Sequence, residues 1–209
     1  MADPNFYIET PRLILSHMNP TLDTHCDFFL ELSNTPEVRA GNGGLALTLA
    51  DREAARTNIS ENNRHIQSTG YGRYFISLKP SSLSSADTPT PVPEQLETFT
   101  KIGSLSIKVR LPDGPTLPDI GFALLTPFAG QGYVTEAAKG LLTYFQQVRG
   151  QTKFLGYCDP ANAKSMAVFK RLGWRDHGGR GIKGLAAGRI VNGNVWSFGV
   201  ESGLEEFGL

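Results

Sequence analysis

A six-residue apolar run, Ile120 to Leu125, passes through Thr126-Pro127-Phe128-Ala129 into Gly130-Gln131-Gly132 and from there directly into a helix-patterned stretch. Val134, Ala137, Ala138, Leu141, Leu142, Phe145 and Val148 recur at the three-, four- and seven-residue spacing of one buried helix face, and Gly150 stops the pattern. The run itself has the continuous apolarity of a strand covered on both faces. Phe154 to Cys158 has the length and content of the next strand. Strand, glycine turn, helix and strand in that order make a βαβ crossover, because parallel neighbours need a connection long enough to hold a helix.

The rest of the chain reads differently. Glu9 to Leu15 is a short strand entered through a proline turn, and Leu22 to Leu32 has apolar residues at helical spacing, with Thr21 or Asp23 as its cap. Thr35-Pro36 breaks that helix, Gly41 to Gly44 is a loop, and a polar surface helix runs from Thr48 or Asp51 to about Gln67. Tyr74 to Leu78 and Ile102 to Val109 are strands. Between them, ten of the fifteen residues from Pro80 to Glu94 are Pro, Ser or Thr, too few apolar groups to offset ordering entropy, so residues 80–94 read as a mobile insertion. After the crossover, Asn162 caps a helix with Met166, Phe169 and Leu172 inward, ended by Gly173. Ile190 to Phe198 reads as a closing hairpin turning on Asn192-Gly193. The order predicts an α+β fold: a mixed, mostly antiparallel sheet flanked by helices, with the βαβ unit at its centre.

Composition narrows the function. One domain spanning residues 1–209 is the default for this length. Twenty Lys and Arg balance twenty Asp and Glu, which argues against a nucleic-acid binder, and no apolar run reaches membrane-spanning length. The charged, proline-containing start does not read as a secretory leader, and two cysteines make no disulfide framework, so a cytoplasmic location is expected. The pair His25-Cys26 lacks further ligands at metal spacing, so no metal site is expected.

A strand running through glycines into a helix points unpaired N–H groups, and the positive end of the helix dipole, at one spot. Such a spot suits phosphate. Gly130 and Gly132 let backbone approach a ligand, and Thr135 adds a hydroxyl. A tight turn with no ligand is the plain alternative. The nucleotide P-loop would need a Lys-Ser/Thr that is absent. The dinucleotide fingerprint is half met, by Gly130, Gly132 and the Asp159 that ends the next strand, with Thr135 where its third glycine would stand.

Pro127-Phe128-Ala129-Gly130-Gln131-Gly132-Tyr133-Val134-Thr135-Glu136-Ala137 resembles the acetyl-CoA pyrophosphate loop of the GCN5-related N-acetyltransferases (GNAT), in the subgroup of the ribosomal-protein N-terminal acetyltransferases. Glu9-Thr10-Pro11-Arg12-Leu13-Ile14-Leu15 is similar to that subgroup's opening segment, and Asp159 to Ser165, through to Leu172-Gly173-Trp174, to its second signature. The resemblance spans roughly residues 8 to 200. It implies acetyl transfer from acetyl-CoA to a primary amine by direct attack in a ternary complex. It also implies that Leu124 and Leu125 offer backbone to the pantetheine arm and the thioester carbonyl. Gly130, Gln131, Gly132, Tyr133, Val134 and Thr135 would hold the pyrophosphate. Asn162 and Ser165 would meet the pantetheine, and Phe169 would pack near the thioester. Asp119, at the head of the central strand, is the candidate catalytic carboxylate. Ala129 stands where relatives carry Gln or Arg, Val134 where they carry a small residue, and Phe169 where many carry Tyr. The implied acceptors are small-molecule amines or protein N-termini, and the oligomeric state, monomer or homodimer, is left open. Two other classes are weighed: a non-catalytic CoA-binding or partner-docking member of the same fold, and a dinucleotide-binding oxidoreductase.

Overall fold

The structure, a computed structural model, describes residues 3, 5–41, 48–80, 93–110, 113–186 and 188–209. Residues 42–44 of the expected glycine loop and 81–92 of the Pro/Ser/Thr segment lie outside the described residues. In chain order the elements are β1 (Tyr7–Glu9), β2 (Leu13–Ser16), α1 (Asp23–Asn34), α2 (Pro36–Gly41), α3 (Arg52–Thr69), β3 (Gly72–Leu78), α4 (Pro93–Thr98), β4 (Lys101–Lys108), β5 (Asp119–Leu124), α5 (Tyr133–Arg149), β6 (Phe154–Cys158), α6 (Ala163–Arg171), β7 (Arg175–Ala186) and β8 (Arg189–Phe198). Local chemistry explains several boundaries. The Asp51 carboxylate accepts from the Ala54 N–H at 2.8 Å and opens α3. Asn162 does the same for Ser165 at 3.0 Å at the start of α6. The α1 cap expected at Thr21 or Asp23 is instead Leu22, with no side-chain bond.

Among the described residues the strands form one sheet in the order β1-β2-β3-β4-β5-β6-β8-β7. Each pair is antiparallel except β5–β6, which is parallel and bridged by α5. An antiparallel run ahead of β5 is not the repeated βα architecture that a dinucleotide fingerprint requires. One face carries the larger core, where Leu105, Ile107, Ile120, Leu141, Phe145 and Phe169 pack beneath α5 and α6. On the opposite face α1 and α3 cover Phe75 with Phe29, Cys26 and Ile59.

Three expectations are corrected. The closing hairpin turns between Ala186 and Arg189, and Asn192-Gly193 lies inside β8, where Gly193 pairs with Arg180. The strand partner is β7, whose glycine-rich sequence lacks the alternation that signals a strand. Val148, counted on the buried face of α5, is 64 % exposed; it lies in the last turn of the helix, beyond Phe145, the last buried residue of that face. Finally, β5 is fully covered only at Asp119 and Ile120, and its remaining four residues are half-buried. The reason is that its parallel neighbour leaves it.

Candidate active site

β5 and β6 are in register only at Asp119–Leu155 and Ile120–Gly156. Beyond that point they part, and a cleft of about 980 Å3 opens between β5, the glycine loop and α6. On the β4 side, the Leu125 N–H donates to the Ile102 carbonyl at 2.9 Å. Alternation along an antiparallel ladder then turns the N–H groups of Phe122 and Leu124 toward the gap. The expectation for this strand is therefore narrowed: Leu124 has a backbone donor facing the cleft, whereas the Leu125 donor is consumed within the sheet.

At the cleft mouth, Gly130 and Gly132 both adopt left-handed backbone, with φ of +81° and +80°. These angles strain any residue with a Cβ and turn the chain so that α5 starts at Tyr133. None of the N–H groups from Gly130 to Thr135 donates to a described acceptor, and the first loop-to-helix bond is from Glu136 N–H to Gly132 O at 3.0 Å. The Thr135 hydroxyl is buried without a partner. A Cβ built on Gly130 would meet nothing within 4 Å. Six consecutive free donors, an orphaned hydroxyl and open space make a cradle for a diphosphate. Val134 stands half-buried on the cleft wall. Cations absent from the loop come from elsewhere: Arg171 lines the cleft, and with Lys139 it also lines an adjoining concavity over Thr135 and Glu136. Sequence spacing carried no sign of Arg171, which arrives from the end of another helix.

The loop is braced by the opening segment. Glu136 accepts from the Thr10 hydroxyl at 2.7 Å, from the Arg12 N–H at 2.8 Å and from Arg12 Nε at 2.7 Å. Arg12 also donates to the Gln131 carbonyl at 3.1 Å and lies 4.5 Å over the Tyr133 ring. Burial pushes the Glu136 carboxyl up, but the Thr10 and Arg12 donors outweigh it and hold the group below its usual range. Two motifs more than a hundred residues apart are one structure.

Asn162 lies on the cleft wall with its Oδ1 committed to the Ser165 N–H, and its amide nitrogen has no described acceptor. Ser165 is beside it on the same wall. Phe169, expected near the thioester, is fully buried and is not among the cleft-lining residues. Its ring stacks on Trp196 at 5.5 Å and contacts Trp174 and Phe122 at 5.2 and 5.6 Å. It sits under Gly156, where a Cβ would come within 2.3 Å of the ring.

Asp119 is buried, 3 % exposed, behind the cleft-lining Arg110, and accepts from Arg110 Nε at 2.6 Å and Nη2 at 3.0 Å. Burial opposes the Arg110 charge, but the Asp119 bonds override it and raise the guanidinium above its ordinary value. A carboxylate held this way orients a cation. Arg73 and Lys108 stand beside it, and these were not singled out in the sequence because they lie on separate strands with no motif spacing. No group of three His, Cys, Asp or Glu able to hold a metal occurs among the described residues. Among them, too, no helix is long and apolar enough to cross a membrane.

A split mixed sheet with a glycine cradle at the mouth of the split defines a GNAT-type acetyltransferase domain. The sequence profile "Acetyltransferase (GNAT) domain" matches residues 12–175, and the chain belongs to that family. No curated protein sequence matches the chain. In fold it is similar to an acetyltransferase from Agrobacterium tumefaciens C58, at TM-score 0.65 and 21% identity, covering 93% of this chain and 95% of that one. It is similar also to the Salmonella typhimurium acetyl transferase that modifies the N-terminal serine of ribosomal protein L7/L12, at TM-score 0.64 and 18% identity over 92% and 98% of the two chains. A third similar structure is the Microcin C7 self-immunity acetyltransferase MccE in complex with acetyl-CoA and AMP, at TM-score 0.65 and 18% identity over 89% and 91%.

Proposed function

We propose that this protein is an N-acetyltransferase that uses acetyl-CoA and a primary amine, with direct attack of the amine on the thioester. The observation that carries the reading is the run of six unpartnered N–H groups, Gly130 to Thr135, at the mouth of the β5–β6 split. The acetyl-CoA bound in MccE supports the choice of donor. In this reading the cradle holds the diphosphate, with Thr135 adding its hydroxyl, and Arg171 and Lys139 face the phosphates of the nucleotide end. Leu124 N–H and the Asn162 amide bond the pantetheine arm in the split. The Phe122 N–H, deeper in the split, stabilises the charge that develops on the thioester oxygen.

The attacking amine must be neutral. Asp119 already takes two bonds from Arg110, so its role is to fix that guanidinium, and the amine loses its proton to solvent in the open cleft. Phe169 has no hydroxyl to protonate the leaving group. A thiol of ordinary pKa, about 8.5, can leave as the thiolate without an acid.

The test is calorimetric titration with acetyl-CoA, followed by thiol release with a panel of amines. Wild-type protein is expected to bind acetyl-CoA with a Kd near or below the ~1 mM upper end of ordinary enzyme substrates. Gly132→Glu, which sets a carboxylate against the diphosphate, is expected to abolish binding while the protein still unfolds cooperatively. Undiminished binding by the variant would remove the phosphate assignment. Binding without turnover of any amine would favour a non-catalytic CoA-binding member of the family.

A further inference from the structure

We propose, building on the acetyltransferase reading above, that the acceptor is a small amine carrying an oxyanion, a carboxylate or a phosphate, which Arg73, Lys108 and the Tyr157 hydroxyl receive on the floor of the cleft.

The placement follows from strand register. Lys108 on β4 lies opposite Asp119 on β5, and Arg73 on β3 lies opposite Ser106, so alternation sets Arg73, Ser106, Lys108 and Asp119 on one face of the sheet. Asp119 lies opposite Leu155, which sets Tyr157, two residues on, on that face too. Arg73, Ser106, Lys108 and Tyr157 line the cleft, whereas Asp119 and Leu155 do not. Three cations thus meet one carboxylate, and both oxygens of that carboxylate are taken by Arg110. No described carboxylate pairs with Arg73 or Lys108. The Arg73 guanidinium lies 5.0 Å over the Phe29 ring. The Tyr157 hydroxyl is buried without a partner.

The other carboxylates of the cleft are committed elsewhere. Glu37 accepts from the Thr126 hydroxyl at 2.7 Å, past the far end of β5. Asp159 accepts from the Ala161 N–H at 2.7 Å. Half-buried cations without partners are costly, and the charges oppose each other. Lys108 is pushed down to about 7 by Arg73, by burial and by Arg110, against the pull of Asp119. Arg73 is pushed down to about 10 by burial and by Arg110. A bound anion relieves both penalties at once, and the tyrosine hydroxyl supplies a third donor to it.

The phosphates of the donor do not fill this role. Six strand residues, about 20 Å at 3.3 Å each, separate the rung of Lys108 and Asp119 from the turn that leads to the cradle. The split where an amine would attack is one strand from Lys108 and two from Arg73, roughly 5 to 10 Å at ordinary strand spacing. The anion therefore belongs to an acceptor with a short spacer between its amine and its acid group.

The experiment measures CoA release from acetyl-CoA with amines compared at equal free-base concentration. The panel holds glycine, β-alanine and γ-aminobutyrate, phosphoethanolamine and aminopropylphosphonate, the neutral ethanolamine and propylamine, and the cationic putrescine. The best anionic acceptor is expected to exceed its neutral counterpart by about tenfold or more in kcat/KM. Arg73→Gln and Lys108→Met are each expected to lower that ratio about tenfold, mainly through KM, while the Kd for acetyl-CoA stays within about twofold and reports that the fold is intact. Preference between the carboxylate and phosphate arms identifies the acid group, and either supports the proposal. Equal or better use of neutral or cationic amines, or ratios that the variants leave unmoved, would overturn it with the acetyltransferase reading intact. Acetyl-CoA binding with no turnover of any panel member would also overturn it, and would favour the non-catalytic member instead. Failure to bind acetyl-CoA at all removes the acetyltransferase reading and this proposal with it.

Discussion

Glu136 ties the opening of the chain to the start of α5, and Glu136→Ala measures what that tie contributes. Three donors lose their acceptor. The Thr10 hydroxyl and the Arg12 N–H each gave a carboxylate bond, at 2.7 and 2.8 Å. Such bonds contribute about 1–1.5 kcal/mol each after a discount for their solvent access. The third donor, Arg12 Nε, belongs to a guanidinium that is 48% exposed, so its share is at most about 0.5 kcal/mol. The sum, about 2–3.5 kcal/mol, corresponds to a fall in Tm of roughly 5–12 °C for a domain of this size. The acid dependence has a definite sign. The folded carboxyl sits below its ordinary 4.5, so its stabilisation is complete above 4.5 and is lost as pH falls through the lower folded value. The gap between wild type and variant should therefore be constant from pH 7 to 5 and close on further acidification. Thermal unfolding followed by circular dichroism across that range is the assay. A variant melting within about 2 °C of wild type at pH 7 would refute the reasoning, since water would then have replaced the carboxylate at no cost.

Other outcomes follow from the same geometry. Gly156→Ala presses a Cβ to 2.3 Å from the Phe169 ring, which Trp174, Trp196 and Phe122 hem in, so overpacking should cost about 1–3 kcal/mol in chemical unfolding. Asp119→Asn leaves the Arg110 charge without its counterion and should lower Tm clearly while kcat stays within about tenfold of wild type. An unchanged Tm with kcat abolished would instead make Asp119 the catalytic base. Lys108 is held at about 7 in the fold against about 10.4 in an unfolded chain, so the unfolded chain binds more protons between those values and stability rises with pH across them. Lys108→Met should therefore raise Tm at pH 6, with the gain shrinking toward pH 10.

The crossover and the cradle were legible because they are local: a strand, two glycines and one helix face occupy consecutive residues, and each has its own periodic signature. The helix caps at Asp51 and Asn162 were legible for the same reason. The hairpin was misplaced because Asn192-Gly193 carries the turn signal while the glycine-rich β7 hides its strand character. The split in the sheet was not legible in the residue pattern, since Ile120 to Leu125 looks equally apolar whether or not a neighbour runs its full length; only the family resemblance implied that the backbone at Leu124 and Leu125 parts from its neighbour. The cluster of cations along the cleft was invisible for a further reason. Arg73, Lys108 and Tyr157 meet only through the register of four strands, and no interval in the sequence records it.

Among the described residues, Asp119–Leu155 and Ile120–Gly156 are the only strand rungs between β1–β5 and the β6–β8–β7 half. The seam is a line of weakness built into the middle of the fold. Amides along its open edge, Phe122 and Leu124, should exchange with solvent faster than their neighbours bonded to β4. A donor arm lying in the seam would act as a missing strand, closing both edges with its own amide groups. The small molecule would then be a structural member as well as a reactant. At a hundredfold excess over its Kd it would add about 2.7 kcal/mol to the stability of the whole domain. Without such an arm bound, the protein would be in its less stable form, so occupancy of the seam would set its resistance to unfolding.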